Sequence, residues 1–240
     1  MKFRTLMMST AFALLAAPAL AADAAPPVPL LVRGVIASFD GKSVTITKAD
    51  GTSVTGAVGP GTFFSAVEPR RFDQIKATDF VGITSVPGPG DTLKAEEIHI
   101  LPIHVGEGSY PWDHHPGGAR ATAGSMTNGT VAVVQTAPVT AGSMTNGTVT
   151  MSGGQTLKVT YRGAGIVDGK CVGHAPAAGG CTGVASVAVT PQTQIVAIVP
   201  AQPTDPKPGL AVFAGAATLA DGKIVIGSLV LEKNGVKPPM

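Results

Sequence analysis

Apolar and polar residues alternate with a period of two along much of the chain, which is the period of strands and not of helices. In the run from Ser43 to Lys48, Val44 and Ile46 alternate with polar neighbours between the dipeptides Asp40-Gly41 and Asp50-Gly51. Asp-Gly between alternating runs marks a hairpin, because both residues tolerate the positive φ of a type I′ turn. The pattern predicts strands over residues 31–39, 43–48, 54–58, 62–67, 80–86 and 93–100, with a short helical turn at 72–77 and a Pro/Gly-rich turn at 87–91. Short strands in this order are expected to close into a small barrel, the arrangement with fewest bare edges.

The same plan recurs later. Residues 146–151, the turn Gly153-Gly154 and residues 157–161 match the first hairpin, while 184–189 and 194–199 match the middle strands. Asp79–Ile100 aligns in pattern with Gly209–Leu231, so that Lys207-Pro208-Gly209 takes the place of Lys76-Ala77-Thr78 and Val230 that of His99. The expected fold class is therefore all-β: two OB-like barrels over residues 30–101 and 144–232, joined by a Gly/Pro-rich connector at 102–143. One continuous sandwich is the alternative.

The connector contains a duplication. TAGSMTNGTV occurs at Thr122–Val131 and again at Thr140–Val149. The second copy runs directly into the predicted hairpin at 149–161, so it is expected to open the second barrel. Met126–Val134, which begins in the first copy and runs past it, is then expected to form an added edge strand or a loose ribbon, and deletion of one 18-residue unit to leave a folded protein. Asn128-Gly129-Thr130 and Asn146-Gly147-Thr148 read as turn sequences that happen to match a glycosylation acceptor.

Composition supports short strands and tight turns. Charged residues make up 13% of the chain and aromatics 5%, against 31 Gly and 20 Pro. Residues 1–21 have the build of a secretory signal: Lys2 and Arg4, an apolar core at 6–17, and Ala19-Leu20-Ala21 at the cleavage site. An uncleaved anchor is the alternative. Without Lys2 and Arg4 the 17 basic residues fall to 15, equal to the 15 acidic ones. Such a balance, with no basic cluster beyond Arg70-Arg71, gives nucleic acid no electrostatic reason to bind. No later apolar run has the length of a membrane helix, so no membrane insertion is expected.

Several phrases carry a resemblance. GVIASFDGKSVTITKADG (Gly34–Gly51), DFVGITSVPGPGDTLKAEEIHI (Asp79–Ile100), GEGSYPWD (Gly106–Asp113) and SMTNGTV together resemble the bacterial secreted proteins with DUF5666-type domains. The resemblance implies a periplasmic protein of small β-barrels with no established activity. Two departures stand out: Ser109-Tyr110 replaces a His-Arg pair before Pro-Trp-Asp, and the Met-Thr-Asn-Gly phrase is doubled. An insertion at 162–183 holds both cysteines.

Candidate chemistry is concentrated in and after the connector. Asp113, His114 and His115, with His104 and Glu107 nearby, are the densest set of ligand atoms and suit zinc, copper or nickel. Their spacing matches no established metal motif, and solvated loop histidines are the alternative. Cys171 and Cys181 read as one disulfide in an oxidising compartment. With His174 they also spell C-x2-H-x6-C, a soft-metal set if the thiols stay reduced. Tyr110 and Trp112 form an aromatic pair suited either to a contact surface or to filling the seam between domains. Glu97 and His99 fall on one strand face, where packing is the ordinary role for His99.

The sequence holds no nucleophile elbow, His-Glu-x-x-His or phosphate loop. No enzyme and no cofactor beyond a transition metal are expected. The reading is a periplasmic binding or scaffold protein whose partner is an envelope protein or a small ligand; the alternative is an envelope metal-handling protein.

Overall fold

The computed structural model describes residues 26–103, 106–112, 124–136 and 154–238. The first half forms β1 (Val28–Phe39), β2 (Ser43–Thr47), β3 (Ser53–Ala57), β4 (Phe63–Pro69), a 3-10 turn at Phe72–Gln74, β5 (Phe80–Pro87) and β6 (Thr92–Leu101). After β7 (Gly108–Pro111), the second half forms β8 (Ser125–Thr136), β9 (Gln155–Gly163), β10 (Gly165–Val167), β11 (Lys170–His174), β12 (Cys181–Val189), β13 (Gln194–Pro200), β14 (Ala211–Thr218) and β15 (Ile224–Leu231). The all-β class stands, and the hairpin turns fall where alternation put them, but they are not type I′: only Gly41 and Gly51 have positive φ, 82° and 81°, while Asp40 and Asp50 stay outside that region and accept through Oδ1 from the backbone N–H groups of Lys42 and Thr52. Among the described residues no helix is long and apolar enough to cross a membrane.

The barrels do not follow the order of the chain. β1 pairs with β2 and β2 with β3, but the ring is closed by β14 and β15 from the far end of the sequence. A second ring joins β8, β9 and β12 to β5 and β6 of the first half. Each is a five-stranded ring with the strand order of an OB barrel, and each takes three strands from one half and two from the other. The expected division into a barrel at 30–101 and another at 144–232 is therefore corrected: the halves exchange their final hairpins.

The crossing is made by β4 and β13. They pair antiparallel with Val67 opposite Ile198 at the centre, and each lies parallel to the last strand of the other half, β4 beside β15 and β13 beside β6. This places a local two-fold axis through the Val67–Ile198 pair. Val67, Val196, Phe213 and Val230 pack there as a small core of their own. The two barrel cores are each made by both halves. Val32, Ile36, Val44 and Ile46 meet Val212, Ile226 and Leu229 in one, and Ile83 and Ile98 meet Leu157, Val159 and Val187 in the other. Burying each such side chain stabilises the fold by about 1.5–3 kcal/mol, so most of the stabilisation depends on both halves being present.

The duplicated phrase also departs from expectation. Ser125–Val131 of its first copy fall in β8, an internal strand with β5 on one edge and β7 and β9 on the other. Met126, Thr127, Asn128 and Val131 are buried. The first copy thus occupies the opening slot of the second barrel, and is neither edge strand nor ribbon. The second copy lies outside the described residues. The segment at 102–143 is likewise not only a connector, since it contributes β7 and β8.

Candidate binding site at the mouth of the second barrel

The insertion at 162–183 builds one wall of a cavity. Gly165–Val167 and Lys170–His174 form the β10–β11 hairpin, and β11 continues onto β7 through Gly173 and His174. The Cys171–Cys181 disulfide ties this hairpin to the start of β12. Tyr161 donates its hydroxyl hydrogen to the Cys171 carbonyl at 2.8 Å. Arg162 holds the loop beyond, its guanidinium donating to the carbonyls of Pro176 and Gly179 at 3.0 and 3.2 Å while Glu107 accepts from its backbone N–H. A Gly- and Ala-rich segment with little of its own to pack is fixed by these cross-links. The disulfide expected from the sequence is present and takes both thiols out of the soft-metal alternative.

Between this hairpin and β12 lies a cavity of about 430 Å³. Leu93, Tyr161, Cys171 and Ala185 bring it to the end of the second barrel's core, and Ile166, Val184, Lys170 and Asp91 carry it outward. Ile166 and Val184 are 61% and 65% exposed, so its outer walls are apolar side chains that the fold leaves in solvent. Gly183 shapes the floor. A Cβ there would fall within 2.5 Å of the Tyr161 ring, and only glycine lets the ring lie across the strand.

Five consecutive residues of β12, Thr182 to Ser186, line the cavity. Successive side chains of a strand point to opposite faces, so an unbroken run of lining residues means that the cavity lies along the strand's edge. The pairing agrees. β12 meets β9 along its whole length on one side, but on the other it meets β6 only through Ser186, Val187 and Ala188. Among the described residues no strand pairs with that side of Cys181–Ala185.

A second polar cluster lies on the outer face of the same barrel. Tyr110, Met126, Thr84 and Glu97 stand in cross-strand register, and Asn128, Gly82 and His99 form the next row. Glu97 and His99 are fully buried, with Nε2 and Oε2 3.7 Å apart. Burial pushes the Glu97 carboxyl up to about 8; the charge of Glu96 adds to this and that of Arg33 opposes it. Asn128 donates to the Gly106 carbonyl and to the Tyr110 hydroxyl, both at 2.9 Å. Burial raises the Tyr110 pKa, partly offset by that bond.

Tyr110 and Trp112 sit on this outer side. Their rings meet edge to face, Tyr110 also lies 3.9 Å from the His174 ring, and the Arg33 guanidinium lies over Trp112 from the other barrel. Ser109, with the opposite orientation, lines the cavity. The aromatic pair is therefore placed at the seam between the barrels and not in the cavity. His104, Asp113, His114 and His115 lie outside the described residues. Among the described residues no three His, Cys, Asp or Glu side chains are grouped as a metal would need.

The cavity was not foreseen from the sequence. Leu93, Tyr161 and Val184 look like ordinary members of alternating strands, and the one local signal was Gly183 inside such a run, since glycine in a strand marks a close approach. No family model, curated protein or solved structure matches the chain.

Proposed function

We propose that the chain is a non-enzymatic periplasmic binding protein that receives its ligand in the cavity at the mouth of the second barrel. The cavity carries the reading: its volume falls in the range of ligand sites, which run from roughly 300 to 1,000 Å³, and its walls are held in place before any ligand arrives. A site fixed in advance loses less freedom on binding, which favours affinity. The disulfide is compatible with an oxidising compartment. The signal-like start and the resemblance to DUF5666-type proteins support the periplasm as that compartment.

The test uses the purified mature protein, labelled with nitrogen-15 and titrated with fractionated periplasmic extract. The expected result is saturable shifts at Leu93, Ile166 and Thr182–Ser186 that are lost on Ile166→Asp. Shifts confined to the seam around Tyr110 and Trp112 would overturn the placement.

A further inference from the structure

We infer that the cavity's ligand is an extended peptide segment that pairs with the open edge of β12. The inference rests on the cavity being the ligand site and names the chemistry of its occupant. The edge carries the argument. Backbone N–H and C=O groups along one side of a strand are directional donors and acceptors at fixed spacing, and an extended peptide is the ligand that matches them. The slot spans Thr182–Ala185, about 13 Å at the rise of a strand. It is the place β6 would fill had it begun a few residues earlier. Instead the turn at Pro87–Asp91 precedes it, closed by the Gly88 N–H to the Thr92 carbonyl at 2.8 Å, and pairing starts only at Thr92.

The side chains around the slot set the peptide's pattern. One face of an added strand meets the end of the core at Leu93, Tyr161 and Ala185, so every second residue is apolar. The other face passes the exposed Val184. Among the described lining residues Lys170 and Asp91 provide one charge of each sign, which favours a peptide without a strong net charge. Stacked ligands fit less well. Tyr161 is the one aromatic among the described lining residues; its ring lies against Gly183 and its hydroxyl is committed to Cys171, so no aromatic face is offered to a base or sugar ring. With a single lysine among the described lining residues, a phosphate backbone finds little to neutralise.

The probe is an equimolar pool of blocked pentapeptides, acetyl-X-Thr-X-Ser-X-amide with X drawn from Ala, Val and Ile, added at up to several millimolar to the full mature chain. The expected result is saturable shifts at Thr182–Ala185, together with slowed hydrogen exchange of the amides on that edge. The same pool with alternate amides N-methylated should bind roughly tenfold or more weakly, since pairing bonds are lost while the side chains stay. Val184→Lys, a solvated charge at the edge, should weaken binding similarly without unfolding the protein. Each of these results overturns the inference: equal binding of methylated and unmethylated pools; binding of maltopentaose in the cavity with none of the peptides; and concentration-dependent dimerisation abolished by Val184→Lys with no peptide bound, which would make a second copy the occupant. The sugar result leaves the cavity as a ligand site and removes only the peptide. Silence of Thr182–Ala185 toward the peptides, the sugar and the periplasmic extract removes both.

Discussion

The two barrels share a register but not a filling. Asn128 stands opposite Gly82, and Gly82 opposite His99; at the same places in the other barrel Arg33 stands opposite Phe213, and Phe213 opposite Val230. Both final hairpins carry a bulge at the matching point, between Thr84 and Ser85 and between Gly215 and Ala216. One barrel thus turns Phe213 and Val230 toward the two-fold axis, while the other offers Gly82, His99 and Glu97. The hairpins between the second and third strands differ as well. In the first barrel Asp50-Gly51 makes a tight turn; in the second the same link carries the disulfide-bound β10–β11 hairpin and, with it, the cavity. The repeated architecture supplies the frame, and departures from the repeat supply the sites.

The largest effect should come from breaking the axis that both barrels share. Val67 is fully buried there, so Val67→Asp is expected to cost about 4 kcal/mol or more and to lower the midpoint of both barrels together in denaturant, followed by probes in each. Loss of only one barrel would show that the axis does not couple them. Reducing the Cys171–Cys181 bond acts on one side of the comparison. Stability should fall by about 2–3 kcal/mol, with chemical-shift changes concentrated at the cavity; a first barrel perturbed as much as the second would contradict the staple's local role.

Glu97 gives a subtler contrast, because the first barrel has Ser228 at the matching position. Its pKa is raised in the folded state from the ordinary 4.5 to about 8, so the folded protein holds the proton more tightly than the unfolded chain. Its contribution is full below about pH 4.5 and is lost as the pH rises through about 8. Denaturation midpoints measured at pH 5 and pH 9 should therefore fall more with pH in the parent than in Glu97→Gln; parallel slopes would refute the assignment. The smallest effect is expected at Thr78, where a β-branched residue has a φ of 80° while its counterpart Gly209 has 92°. Relief of that strain outweighs the greater freedom of glycine in the unfolded chain, so Thr78→Gly is expected to stabilise by about 0.5–1 kcal/mol; a thermal midpoint that does not rise would contradict it.

The strands were legible because their signals are local. The alternation of Val44 and Ile46 and the Asp-Gly turns depend on neighbours within a few residues. The exchange was not legible, since β5–β6 and β14–β15 have the same pattern and either fits either barrel. Two identical copies of TAGSMTNGTV likewise carry nothing that says which one takes the opening slot. The disulfide was readable from spacing and compartment. The cavity depends on where β6 begins pairing with β12, a register between strands nearly a hundred residues apart, and no local pattern reports it.

The exchange of hairpins is tested most directly by cutting the chain. A protease site placed between Trp112 and Gly124 of the full chain separates β1–β7 from β8–β15 when cleaved, and each barrel then holds strands from both fragments. Size-exclusion chromatography with light scattering of the cleaved protein should give one species with the mass of the intact chain, dissociating only when it unfolds. Two folded fragments that elute separately would contradict the exchanged barrels.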